Sequence, residues 1–161
     1  MSAATGPAVP VRRWGRGVPA WQLASLVLLV LLIADSLYLT WVHYQPAALV
    51  CGLDGGCHTV QASKYSSVAG IPVALLGLGM YLALLGLAVA RFLRPGLAPV
   101  LTVGMVGALV GAVVYYGYLT WLEFFVIHAV CQWCVIGAVL TVALLVVEGI
   151  GLVRLLAALG E

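Results

Sequence analysis

Apolar residues run along this chain in four long blocks, and polar residues gather between them. The first block extends from about Trp21 to His43 (WQLASLVLLVLLIADSLYLTWVH) and the second from about Val68 to Ala90 (VAGIPVALLGLGMYLALLGLAVA). The third starts near Ala98 (APVLTVGMVGALVGAVVYYGYLTWL) and the fourth starts at Cys134 (CVIGAVLTVALLVVEGIGLV). Crossing the hydrocarbon core of a bilayer takes roughly 20 apolar residues in a helix, and each block meets that length. None alternates apolar with polar residues, as the strands of a membrane barrel must. The pattern predicts an all-α integral membrane fold, a four-transmembrane-helix bundle over residues 21–156. Its helices fall at about 21–43, 68–90, 98–122 and 134–153, between an N-terminal tail at 1–20 and a C-terminal tail at 157–161.

Composition agrees with that pattern. Of the 161 residues, 65% are hydrophobic and 7% charged, against roughly 25% charged in an ordinary soluble domain. The mean hydropathy is +1.19. A net charge of +2 is too small for nucleic-acid binding, so the basic residues read as topology signals. Arg12, Arg13 and Arg16 precede the first block as they would in an export signal, and Arg12–Arg13 resembles a twin-arginine pair. The block is nevertheless far longer than the roughly 7–15 residues of a signal core, and no A-x-A site follows. The first helix is therefore expected to be retained. The tail arginines, Arg91 and Arg94 in the "RFLRPGL" link, and Arg154 make one side basic, while the long first loop holds only Lys64. The positive-inside rule then places both termini and that link in the cytoplasm, with the first and third connections outside.

On this topology all four cysteines, Cys51, Cys57, Cys131 and Cys134, lie at the outer face, one close pair in each outward connection. Disulfides form and persist in oxidising compartments outside the cytoplasm, and two adjacent pairs suit electron transfer between them. Two static disulfides are an alternative, although a C-x-x-C ring constrains little chain and stabilises modestly. A structural zinc site of the four thiols, with His58 and His128 nearby, is another. Cys134 opens the fourth helix, where unpaired amides and the helix dipole favour a thiolate. It lies beside Trp133 at interface depth, within reach of an oxidant dissolved in lipid. Cys51 and Cys57 lie in a polar loop, "CGLDGGC", open to soluble proteins.

The order of these features resembles bacterial vitamin K epoxide reductase (VKOR) homologues over about Trp21 to Val153. The resemblance rests on "SLYLTWVHY" leaving the first helix, the pair in "CGLDGGC", Ser63, "GIPVALLGLGMY", and Cys131–Gln132–Trp133–Cys134 before the last helix. It implies a four-helix bundle around a quinone, ubiquinone or menaquinone, with the first loop shielding the outer end of the pocket and no metal. By that resemblance Cys51 exchanges with a reduced, DsbA-like thioredoxin-fold partner. Cys57 passes the electrons to Cys131, Cys134 meets the quinone, and Ser63 lines the pocket. The resting disulfides could be Cys51–Cys57 with Cys131–Cys134, or a bridged Cys57–Cys131 form. Some relatives carry a fused thioredoxin-like domain; the chain ends at Glu161, so a separate partner protein is expected. The unrelated DsbB-type family has its C-x-x-C in the first outer loop, whereas here the C-x-x-C comes last. The implied protein is a thiol:quinone oxidoreductase of the bacterial cytoplasmic membrane, with its cysteines on the extracytoplasmic face, supporting disulfide formation in exported proteins. A membrane scaffold with two static disulfides is the alternative. A small transporter subunit is disfavoured because the sequence offers no evident buried basic residue or broken helix.

Other positions carry weaker expectations. Asp35 and Glu148 fall inside apolar blocks, where carboxylates are costly and often functional, or else locally hydrogen-bonded. Glu123 and His128 flank the C-x-x-C as possible proton relays or solvated interface residues. Tyr115, Tyr116 and Tyr118 read as packing and interface anchors. Gly104, Gly107 and Gly111 form a small-residue face suited to close helix packing.

Overall fold

The computed structural model describes residues 19–52 and 56–159. The tail arginines Arg12, Arg13 and Arg16 lie outside the described residues. Four long helices, each long and apolar enough to cross a membrane, form an all-α bundle. Helix α1 spans Ala20–Tyr44, α3 Val73–Leu93, α4 Ala98–Leu122 and α5 Gln132–Leu159. A short helix, α2 (Gly56–Ala62), and a two-stranded hairpin, β1 (Ser67–Val68) and β2 (Ile71–Pro72), lie between α1 and α3. Helix α1 packs against α3 and α5, and α4 packs chiefly against α5.

Two helix starts differ from the apolar blocks. The second membrane helix begins at Val73 rather than near Val68, because residues 67–72 fold into the antiparallel hairpin. Its two turn residues, Ala69 and Gly70, both have positive φ (51° and 82°), as a twist-matched two-residue turn requires. Glycine adopts that backbone freely, which gives "GIPV" its leading residue. The fourth helix begins at Gln132, two residues before Cys134, and runs on to Leu159. Residues 154–159 are therefore helix, and the expected tail at 157–161 does not begin at 157.

The bundle is arranged with polar residues inward. The buried face of α1 recurs at helical spacing through Gln22, Ser25, Leu29, Leu32, Asp35, Ser36 and Leu39, while Leu23, Val27, Val30 and Leu31 point outward. Lipid solvates leucine as well as a protein core does, so shape and polar contacts fix the inward face. The central apolar layer contains Leu29, Leu32, Tyr81, Leu84, Met105, Leu109 and Leu144.

Beyond that layer, towards the α1 N-terminus, is a buried ion pair. Arg91 Nη1 donates to Glu148 Oε2 at 2.7 Å and Nη2 donates to Oε1 at 3.3 Å, joining α3 to α5. The Ser25 hydroxyl of α1 donates to Glu148 as well. Arg91 Nη1 also reaches Thr102 of α4 at 3.2 Å, and the guanidinium lies over the Trp21 ring, 4.5 Å from its centre. All four membrane helices thus meet at one charge pair. Arg91 is consequently not a free basic residue of the link, since α3 continues through it to Leu93 and only Arg94 is exposed. A buried basic residue does exist, which removes one ground given against a transporter. A second correction concerns Gly104 and Gly107: both are exposed, and a side chain there would meet nothing within 4 Å, as also at Gly111. Among the described residues, no helix packs closely on that face.

Candidate active site

The opposite end of the bundle gathers the cysteines. Cys51 and Cys57 are joined by a disulfide, while Cys131 and Cys134 are free. Cys57 and Cys131 are both fully buried in one cluster with Leu39, Val42 and Leu49. The inner member of each pair therefore faces the other pair. Cys51 and Cys134 are only half-buried.

The loop is held in place by the residues between the two C-x-x-C thiols. Trp133 Nε1 donates to the carbonyl of Val50 at 2.8 Å, and the Gly52 amide donates to Gln132 Oε1 at 3.0 Å. The Val50 amide donates to the Tyr38 hydroxyl at 2.9 Å, and the Tyr38 and Trp133 rings are 4.8 Å apart. Both neighbours of Cys51 are thus tied to α1 or α5. Close approach explains two glycines of "CGLDGGC": a Cβ on Gly52 would strike the Gln132 side chain, and one on Gly56 the Val130 carbonyl.

The C-x-x-C is presented by a distortion of the preceding helix. After α4 the chain widens into a π-helical turn, Glu123–Ile127, closed by His128 in the left-handed conformation (φ 54°). Such turns recur at functional sites. The turn buries Glu123, which is 3% exposed, and its Oε2 accepts the Cys131 amide at 3.1 Å. The Glu123 carboxylate and both free sulfurs lie within 4.8 Å of one another. Cys131 occupies the position just ahead of α5, and the Cys134 amide points back to its sulfur at 3.4 Å. The helix-end donor expected to favour a Cys134 thiolate therefore serves Cys131 instead. Hydrogen bonding from Cys134 holds the Cys131 thiol below its ordinary range, against burial and the nearby Glu123, which push it up.

Cys134 borders a cavity of about 370 Å³ enclosed by α1, α3, α4, α5 and the segment around Ser63. Most of its lining is apolar, with one polar wall made by Asp35, Tyr116 and Tyr81. Thr141 donates its single proton to the Gly137 carbonyl at 2.7 Å, so the 2.7 Å contact between Tyr81 and Thr141 is donated by Tyr81. The Tyr116 hydroxyl stands 3.4 Å from that of Tyr81, at the open end of the chain. Asp35 is 8% exposed, and its Oδ1 has no hydrogen-bond partner among the described residues. Gly137 leaves room for this wall, since a methyl group there would lie 2.8 Å from the Tyr116 hydroxyl and 3.0 Å from Asp35 Oδ2.

Ser63 also borders the cavity, but its hydroxyl donates to the Val60 carbonyl at 2.7 Å, finishing α2. Tyr116 belongs to the cavity rather than to a lipid-facing anchor, whereas Tyr118 is exposed. Glu148, away from the thiols, belongs to the ion pair. Tyr38, Tyr81, Gly137 and Thr141 carried no expectation. A signal for the last two was present: Cys134, Gly137, Thr141 and Glu148 recur at spacings of three, four and seven, one face of a helix.

An apolar cavity with a few convergent polar groups has the character of a small-molecule site. The sequence matches the vitamin K epoxide reductase family over residues 23–148, from the first turn of α1 to Glu148 in α5. With four membrane helices and a disulfide beside a free C-x-x-C, the chain belongs to the vitamin K epoxide reductase family and is a membrane oxidoreductase of the thiol–disulfide type.

Proposed function

We propose that this protein reoxidises a DsbA-like thioredoxin-fold partner and passes the electrons to a membrane quinone, so that exported proteins gain disulfides. The observation that carries the reading is the position of the C-x-x-C: Cys131 packs with Cys57 of the loop disulfide, while Cys134 borders the apolar cavity. One sulfur pair thus stands between a water-accessible pair and a lipid-accessible pocket.

In this reading a partner thiolate attacks Cys51, the half-buried member of the loop disulfide, and Cys57 leaves. The partner's second thiol then resolves the mixed disulfide, leaving the partner oxidised and the loop pair reduced. Exchange from Cys57 to Cys131 next reduces the C-x-x-C and restores the loop disulfide. Closing the Cys131–Cys134 disulfide releases two electrons and two protons, which the quinone takes up in becoming quinol. The quinone supplies the two-electron acceptor chemistry. The chain's own residues would orient it: Asp35 and Tyr116 place polar groups on one wall, and the lining is otherwise largely apolar. Ser63 shapes the cavity rim. Ubiquinone and menaquinone both suit such a pocket.

The compartment follows from chemistry. A loop disulfide that must receive electrons from a secreted oxidase faces the extracytoplasmic side of the bacterial cytoplasmic membrane. Both termini and the exposed Arg94 are then cytoplasmic, as the positive-inside rule requires. A scaffold with two static disulfides would give no use to the cavity beside Cys134 or to the unpaired Asp35 Oδ1 on its wall.

The deciding experiment is an assay of quinone reduction by the purified protein with a reduced thioredoxin-fold dithiol. Turnover that needs all four cysteines supports the relay, and full turnover in Cys51→Ala or Cys131→Ala removes it. In whole cells, a membrane-impermeant thiol reagent should label the reduced loop thiols. Labelling that requires breaching the membrane would reverse the proposed orientation.

A further inference from the structure

Glu123 borders two open spaces. One is the cavity bordered by Cys134. The other is an open recess lined by Gly56 and Thr59 of α2, Phe124 and Ile127 of the π-turn, and His128 to Val130. Between these spaces stand the two free sulfurs, within 4.8 Å of the carboxylate. The hydrogen bond from the Cys131 amide to Oε2 fixes the side chain and satisfies that oxygen. It does not account for burial beside two thiols, or for the widened turn that puts Glu123 there.

We propose, on the reading above that the C-x-x-C reduces a quinone, that Glu123 is the proton-transfer group of that step and that the recess beside His128 connects it with solvent. As the Cys131–Cys134 bond forms, the two thiols give up two protons and two electrons. Glu123 accepts a thiol proton, hands it towards the cavity, and is itself unchanged at the end of the cycle. The acceptor gains the same two electrons and two protons, so the step balances without a further reactant. Among the described residues, the ionisable groups that share these spaces with Glu123 or lie beside it are Cys131 and Cys134 of the C-x-x-C, His128 at the end of its own turn, Asp35 of α1, Tyr65, Tyr81 of α3, and Tyr115 and Tyr116 of α4. Helix α2 contributes only Gly56 and Thr59 to this surface. The ion pair of Arg91 and Glu148 joins all four membrane helices at the far end of the bundle, away from the thiols and the recess.

Positioning alone would also be served by a neutral side chain, and that separates the two roles. Glu123→Gln keeps an oxygen acceptor for the Cys131 amide and removes proton exchange. The full-length protein in detergent is used in two arms. In the first, without quinone, the reduced C-x-x-C is oxidised by a small soluble disulfide across a pH series. The wild type should show an inflection that the Gln variant lacks, with a rate lower by roughly 10–100-fold, at the low end of what positioned acid–base groups contribute. In the second, a short-chain quinone is the acceptor: kcat should fall by a similar factor with KM within about twofold, and Glu123→Asp should recover part of it. If the Gln variant does not fold, the Asp variant, with its carboxylate drawn back from the sulfurs, replaces it and should give an intermediate loss in both arms. Unchanged pH profiles, or a loss confined to KM, would overturn the proposal. Normal first-arm behaviour of the wild type without quinone turnover would instead remove the quinone reading and leave the assignment of Glu123 to the first arm.

Discussion

Two buried carboxylates, Asp35 and Glu148, occupy opposite halves of the same bundle and behave in opposite ways. Glu148 is fully enclosed and both of its oxygens are used, by Arg91 and by Ser25. Asp35 is nearly as buried, yet one oxygen is unpaired among the described residues and faces an open cavity. A charge taken out of water is tolerated when partners replace the lost hydration. Glu148 has found its partners within the protein. Asp35 has part of its hydrogen-bonding capacity unused among the described residues, beside the cavity. The pair separates two kinds of polar residue within membrane helices: the satisfied one fastens helices together, and the unsatisfied one borders open space.

The comparison can be broken or sharpened by four measurements. The largest effect is expected at the thiol end, where Cys134→Ser should abolish quinone reduction while leaving the thermal midpoint in detergent nearly unchanged. Residual turnover near the wild-type rate would assign the reaction to other residues. The far end should respond oppositely. Arg91→Leu leaves Glu148 without its counter-charge and should destabilise the fold by roughly 3–5 kcal/mol, the usual cost of breaking a buried pair. Activity per folded molecule should persist, and the Arg91→Leu/Glu148→Leu double variant should recover much of the stability. A loss of catalysis in a stably folded double variant would show that the two ends are not independent.

Smaller effects are expected within the site. Gly137→Val pushes side-chain atoms against Tyr116 and Asp35, so KM for quinone should rise roughly tenfold, equivalent to about 1.4 kcal/mol, with loop disulfide exchange unaltered. An unchanged KM would place the quinone elsewhere. The smallest change is expected in titration. Because Cys134 hydrogen-bonds Cys131 and holds its thiol below the ordinary range, the ultraviolet absorbance of the reduced C-x-x-C should begin to rise below that range. On acidification the thiolate, and the reactivity that depends on it, should be lost only beneath this lowered point. Cys134→Ala removes the donor and should move the onset upward; an onset that stays put would deny Cys134 that role.

How much of this was legible in the sequence depends on whether a residue's partner lies near it in the chain. The four helices were plain, because lipid demands about twenty apolar residues in a row and little else. The cysteine pairs were plain from spacing alone. Arg91 was not: in "RFLRPGL" it looks like half of a basic link, and only the continuation of α3 to Leu93 turns it inward. Its partner, Glu148, is 57 positions away. The choice between Cys131 and Cys134 as the assisted sulfur turned on where α5 starts. A helix beginning at Gln132 directs its first free amides at the preceding residue, and an apolar run that begins two residues later hides this. The π-turn was equally hidden, since "LEFFVIHAV" has the apolar content of an ordinary helix end. Asp35 and Glu148 looked alike because burial is visible in sequence and partnership is not.

The hydrogen bonds from Trp133 to Val50 and from Gly52 to Gln132 have a kinetic consequence. They fasten the segment around Cys51 to the two residues that separate the C-x-x-C thiols, and so keep Cys57 beside Cys131. In the proposed relay, exchange between the pairs is then a reaction within one molecule, governed by an effective molarity rather than by collision. Diluting the protein should leave that internal step untouched while slowing the bimolecular encounter with the partner. Weakening the tether, as Trp133→Phe would by removing the bond to Val50, should lower the effective molarity and expose Cys57 to thiols of other molecules.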